Sequence, residues 1–232
     1  MKKFVGTLTV LGVLSCAGTA VAGPIAVGGA AFKDHPTVTD TPKYTMGLPA
    51  YFTPGNIVGQ LTNAPINGQL SGLVTTTVYR NPANGFLTFQ YEFTSTNSLS
   101  PAVRATLGGQ WMLFNVTDAG ADSSGVSGGN DPGAEWTDGD PLFLARSPTD
   151  GAPSVQFRAF GLGAGLFNGD FSSNIWFQTN ATDFAQAPMA WLDTAITGQG
   201  IILAPAVIPL PPAAGLGVLG LGLLAVARRR FR

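Results

Sequence analysis

Residues 86–94 alternate with period two. Leu87, Phe89, Tyr91 and Phe93 fall on one face, and Thr88, Gln90, Glu92 and Thr94 on the other. Only an extended chain sends successive side chains to opposite sides, so this segment must be a strand buried on one face. Asn84-Gly85 stands just before it, the dipeptide that turns a tight hairpin. The run before that turn, Leu70 to Arg80, is rich in β-branched residues at Val74, Thr75, Thr76, Thr77 and Val78. The two runs are expected to pair through Asn81-Pro82-Ala83-Asn84-Gly85.

Further strands are expected at Trp111 to Thr117, Ser154 to Phe160 and Asn174 to Thr179, with one or two more between Ala187 and Leu203. Asp138-Gly139, Asp150-Gly151 and Asn168-Gly169 mark turns. No stretch from Gly23 to Leu203 holds a helical period over a dozen residues. With 31 Gly and 17 Pro and no Gly-X-Y repeat, short strands with turns between them predict an all-β fold, an antiparallel β-sandwich or jelly roll. The expected organisation is a signal peptide at 1–22, an ectodomain at 23–206 and a terminal segment at 207–232 with one transmembrane helix.

Charge separates those parts. Of 12 Lys and Arg, half lie at the ends: Lys2, Lys3, Arg228, Arg229, Arg230 and Arg232. The stretch from Gly23 to Val207 holds the other six and all 13 acids, a net charge of −7. An acidic body with scattered bases excludes nucleic acid as a partner, because displacing counterions from phosphates needs clustered cations. At the N-terminus, Lys2 and Lys3 precede an uncharged stretch from Phe4 to Leu14, and Ala20-Val21-Ala22 gives the small-x-small pattern that signal peptidase accepts. Cleavage is expected after Ala22, leaving Gly23 first. The single cysteine, Cys16, has two readings: the lipidated residue of a loose lipoprotein box, or an inert signal residue. Under the second, the mature chain has no thiol and its stability rests on the core alone.

Val207 to Ala227 is 21 residues without a charge. As a helix this run would be about 31 Å long, close to the thickness of a hydrocarbon core. Pro209, Leu210, Pro211, Pro212 and Ala213 open it. Arg228, Arg229, Arg230 and Arg232 close it, and by the positive-inside rule they stay in the cytoplasm. The order of Val207-Ile208-Pro209-Leu210-Pro211-Pro212-Ala213-Ala214, an apolar Gly- and Leu-rich helix and an Arg cluster resembles the PEP-CTERM sorting signal. Leu210 stands where that signal usually has Glu, which is closer to the VPLPA-type variant. The resemblance implies an exosortase-like processing enzyme as partner, a membrane passage through residues 208–227, and final delivery to the cell surface or extracellular matrix. The strands around Val78, Phe89 and Trp176 also look like ectodomains found ahead of such signals. Within the helix, Gly215-Leu216-Gly217-Val218-Leu219-Gly220 matches a dinucleotide fingerprint by letter only, since prolines rather than a strand precede it.

Little in the body points to catalysis. His35, the one histidine, lacks a Gly-x-Ser-x-Gly elbow to serve, and the two Glu, Glu92 and Glu135, do not form a marked pair. Asp118 to Asp140 collects six acids and six glycines without a base. Ca²⁺ takes oxygens from flexible carboxylates, with Asp131, Asp138 and Asp140 as the candidate ligands; a solvated acidic loop is the alternative. Among the tryptophans, Trp136 is the candidate for stacking on a sugar, and Trp111, Trp176 and Trp191 are expected in the core. The reading is therefore non-enzymatic: an exported envelope or matrix protein, with a Ca²⁺- or carbohydrate-binding surface module as the alternative and a secreted hydrolase third.

Overall fold

The computed structural model describes residues 24–32, 42–96, 102, 104–122, 143–157, 165–166, 168–193 and 196–207. These form an all-β body. The strands are β1 (Ala30–Phe32), β2 (Thr45–Met46), β3 (Ile57–Gly68), β4 (Gly72–Arg80), β5 (Leu87–Ser95), β6 (Arg104–Leu107), β7 (Val116–Asp122), β8 (Phe143–Arg146), β9 (Pro153–Gln156), β10 (Asn174–Thr179), β11 (Phe184–Asp193) and β12 (Ile196–Pro205). They make one curled sheet in the order β1-β8-β9-β6-β11-β12-β3-β4-β5-β10-β7-β2. Among the described residues no helix is long and apolar enough to cross a membrane; the expected one lies at 208–227, outside them.

The alternating segment is β5. Leu87, Phe89, Tyr91 and Phe93 are all fully buried, each contributing roughly 1.5–3 kcal/mol of transfer free energy. The sheet folds over them. The Tyr91 hydroxyl donates to the Leu203 carbonyl at 2.8 Å, and Phe93 meets Phe157 and Trp191 with ring centroids 5.8 and 6.2 Å apart. β4 and β5 pair from Gly72–Ser95 to Arg80–Leu87 through the expected turn. There the Gly85 N–H donates to Asn81 O, and Gly85 has the left-handed φ of 75° that glycine adopts without a Cβ penalty.

The two halves of the sheet join at a narrow seam. β12 meets β3 only at Gly198–Gly68 and Gln199–Asn67. Elsewhere β3 lies along β4, with a register shift between Leu61 and Ala64 where Asn63 takes φ 50°. At the opposite margin the outermost strands approach each other. Phe32 of β1 bridges Lys43 just before β2, the Tyr44 N–H donates to Phe32 O at 2.9 Å, and Ile25 bridges Val116.

Several expectations need correction. The sheet is mixed rather than purely antiparallel, because β2 runs parallel to β7. Trp111 does not open a strand. Trp111–Leu113 is a 3₁₀ turn, and β7 begins at Val116 and continues into the expected acidic loop as far as Asp122. The cause is Arg146, buried at 4 % exposure. Its guanidinium donates to the carbonyls of Trp111, Phe114, Ile25 and Gly151 at 2.8–3.3 Å and holds the turn in place.

The strands run between two poles. Hydrogen bonds of Arg80 to Thr182, Asn115 to Asn180, Ala206 to Asp183 and Gln110 to Pro205 gather one pole. Val207, the last described residue, lies there. Bonds of Ser95 to Asp170, Thr96 to Ser71 and Gln69 to Thr197 gather the other. The ends that flank 33–41, 97–101, 123–142 and 158–164 all sit at this second pole.

Candidate functional site

Two surface features are built by the sheet. The first is a cleft of about 610 Å³ at the seam. It arises because β12 and β3 part after two residue pairs, and because the bulge at Asn63 turns β3 away. Asn63 is held there by its own N–H to Thr75 Oγ1 at 3.1 Å. Thr62, Asn63, Asn67, Gln186 and Gln199 supply the polar lining, and Leu61, Ala64, Pro65, Pro188 and Ile201 the apolar lining. No lining residue is charged. Amides present both donors and acceptors, so such a wall complements neutral hydroxylated or peptide-like ligands rather than ions.

The second feature is the outer face of β7, β10, β5 and β4 under the strap of residues 47–53. Trp176 points outward, opposite its neighbours Ile175 and Phe177, yet it is buried at 1 %. Its ring lies over Gly120, where a Cβ would meet Trp176 Cζ2 and Cε2, and its Nε1 donates to Gly47 O at 3.0 Å. Phe52 stacks on Tyr79 with centroids 4.1 Å apart and meets Trp176 edge-on. Tyr51 shares a 2.7 Å hydrogen bond with Thr88. At the end of this face Asp118 accepts from Thr45 Oγ1 at 3.3 Å and from the Ala119 N–H at 2.8 Å. Burial raises its carboxyl to about 6, against those two hydrogen bonds, which lower it. The strap takes up the aromatic surface that would otherwise stack on a ligand, so this face is a sealed one.

Of the residues singled out in the sequence, Val207 lies in the described part and is exposed at 54 %. Outside it lie Ala20, Ala22 and Gly23, Pro209 to Ala213, Arg228 to Arg232, Asp131, Asp138, Asp140, His35 and Trp136. Trp111 and Trp191 are buried in the core as expected, whereas Trp176 is buried on the outer face under the strap rather than in the core. Among the described residues no group of three or more His, Cys, Asp or Glu is placed to hold a metal. Glu92 is half-buried on the outer face of β5. The cleft residues went unnoticed in sequence; Thr62-Asn63 before Ala64-Pro65 and Gln186 before Pro188 are the signal, amides set beside apolar and proline residues in a strand.

Comparison of the chain with protein-family models, with curated proteins and with solved structures found no match.

Proposed function

We propose that this chain is a non-enzymatic exported protein of the bacterial envelope or extracellular matrix, with a β-sandwich ectodomain carried by the signal at 207–232. In this reading the two facing halves of the curled sheet are the layers of the sandwich, and residues 208–227 are its membrane helix. One observation carries the reading. The last strand ends in the core, with Ile202, Leu203 and Ala204 buried, and two residues later Val207 is half exposed. The Pro209-Leu210-Pro211-Pro212 motif begins two residues after Val207 in sequence, close behind a firmly held strand, which supports a reading in which the motif is accessible. A processing enzyme needs its target segment in that position, extended and accessible.

Fractionation with intact-mass measurement tests it. Changing Arg228, Arg229 and Arg230 together to Ala is expected to alter both the mature mass and the final location. An unchanged mass and location would end the sorting reading.

The uncharged cleft favours a second reading, a carbohydrate-binding surface module that reaches the outside by the same route. A glycan array with and without Ca²⁺ distinguishes it: binding to neutral glycans that Gln199→Ala weakens supports the module, and a blank array rejects it.

A further inference from the structure

In the reading of residues 208–227 as a membrane segment, the pole at Val207 is the exit pole, and it carries an unusual surface. Met112 and Leu113 are exposed at 47 % and 63 %, the largest apolar pair on the described surface in sequence contact, and Val207 beside them at 54 %. They are not on a loose loop. Trp111 is fully buried and packs edge-on against Phe89 and Phe177, with centroids 5.5 and 5.9 Å apart. Its indole N–H donates to Gly108 O at 3.0 Å. Arg146 binds the carbonyls at both ends of the turn, Trp111 and Phe114. With Trp111 fixed inward and the turn clamped, Met112 and Leu113 are held outward.

The same turn is tied to the exit strand. Gln110 Oε1 accepts the Val207 N–H at 2.6 Å, and the Gln110 N–H donates to Pro205 O at 3.4 Å. The turn therefore lies beside Val207, the first residue of the 21-residue uncharged segment that closes at Ala227 before the Arg cluster, within a chain uncharged since Asp193. Val27, and Ile57 and Val58 at the start of β3, are also exposed near this pole.

We infer that the Gln110–Leu113 turn is a lipid-contacting wedge: Met112 and Leu113 enter the headgroup region of the bilayer and set the body upright on it. The inference rests on the reading of residues 208–227 as the membrane segment. Pro212 is the last of the prolines that open that segment; four residues stand between it and Val207, and the five steps reach at most about 18 Å of extended chain. A body tethered so closely presents this pole to the bilayer. Two apolar side chains on a rigid turn, entering about 5–10 Å into the interface, gain burial without the entropy cost of ordering a loop. Asp150 and Asp183 are exposed at the same pole. They suit a zwitterionic surface better than a strongly anionic one.

The test uses the full chain with Cys16→Ser, so that an introduced thiol is unique. Leu113→Cys and, at the far pole, Gln69→Cys are labelled with an environment-sensitive fluorophore. Each is reconstituted into phosphatidylcholine vesicles that contain a doxyl-tailed quencher lipid. Blue-shifted emission that the quencher reduces at position 113 but not at 69 is the expected result. Equal, unquenched emission at both positions, in a chain that alkaline carbonate fails to strip from the vesicles, overturns the wedge and leaves the membrane segment standing. A chain that carbonate strips overturns both. Quench-free protection at 113 with disulfide-linked dimers from the unlabelled Leu113→Cys chain assigns the patch to a second copy, and the lipid wedge is rejected.

Discussion

Two polar side chains, Asp118 half-buried and Arg146 buried, show how single residues bear on this fold. Asp118 has its carboxyl raised to about 6, mainly by burial under the strap. Because the folded value lies above the ordinary one of 3.8, the protonated form is the one the fold prefers. The stabilisation it gives is complete below about pH 4 and is lost as pH rises through about 6. Asp118→Asn keeps the shape without the charge. It is expected to raise the melting temperature at pH 7–8 and to leave it unchanged near pH 4, a gain of about 1 kcal/mol once solvent screening is allowed for. Melting curves from pH 4 to 8 check this, and a gain equal at both ends would reject it. Arg146 acts in the opposite sense. It answers four carbonyls with one planar fork, which an ammonium cannot match. Arg146→Lys is expected to cost about 3 kcal/mol in urea unfolding, since it leaves buried acceptors unpaired. A loss under about 1 kcal/mol would mean that water replaces the guanidinium.

At the scale of elements, the strap and β2 depend on one small residue. Gly120 sits under the Trp176 ring and beside the Thr45 carbonyl, so a methyl group there would strike both. Gly120→Ala is expected to release β2 and residues 47–53 while the pairing of β4 with β5 survives. Hydrogen exchange would show it as lost protection at 45–53 with Val74 to Arg80 unchanged; uniform loss across both regions would contradict it. The element scale is also where sequence and structure diverge most clearly. β5 could be read directly, because alternation over nine residues fits only a strand, and the short apolar run Ile175-Trp176-Phe177 between polar residues marked β10. β11 and β12 were visible as a region. β3 was not: Asn63, Pro65 and Asn67 break its pattern, and it earns its place by pairing with β4 rather than by local preference. β1, β2, β6 and β8 are two to four residues long, too short for any periodicity to register. The cleft was hidden for a related reason, since it exists only where residues 61–67 and 186–201 meet.

On the scale of the whole molecule, the two poles differ. The exit pole bears the apolar turn and Val207. The far pole bears the ends of β7 and β8, Asp122 and Phe143, between which the acidic stretch 123–142 runs. An epitope placed at residue 128 and one placed between Ala83 and Asn84 of the exit-pole hairpin are therefore expected to differ on membrane vesicles. A Fab should bind the first freely and the second several-fold less, because the hairpin would lie close to the lipid. Equal binding of both would mean that the body does not stand on its exit pole.

The place of β12 in the sheet has a bearing on how the chain is made. It is the last of the described strands in sequence, yet it lies in the middle of the order, between β11 and β3. A chain that emerges N-terminus first, from a ribosome or a translocation pore, has eleven of the twelve described strands available, and its two half-sheets meet at the Phe32–Lys43 and Ile25–Val116 margin but not yet at the seam. Closure waits for residues 196–205, and pairings as distant as Ala30 with Ala145 make the earlier steps slow as well. The body of the nascent chain thus stays open along the seam for almost its whole length. It becomes a finished body only as the strand adjoining Val207 arrives.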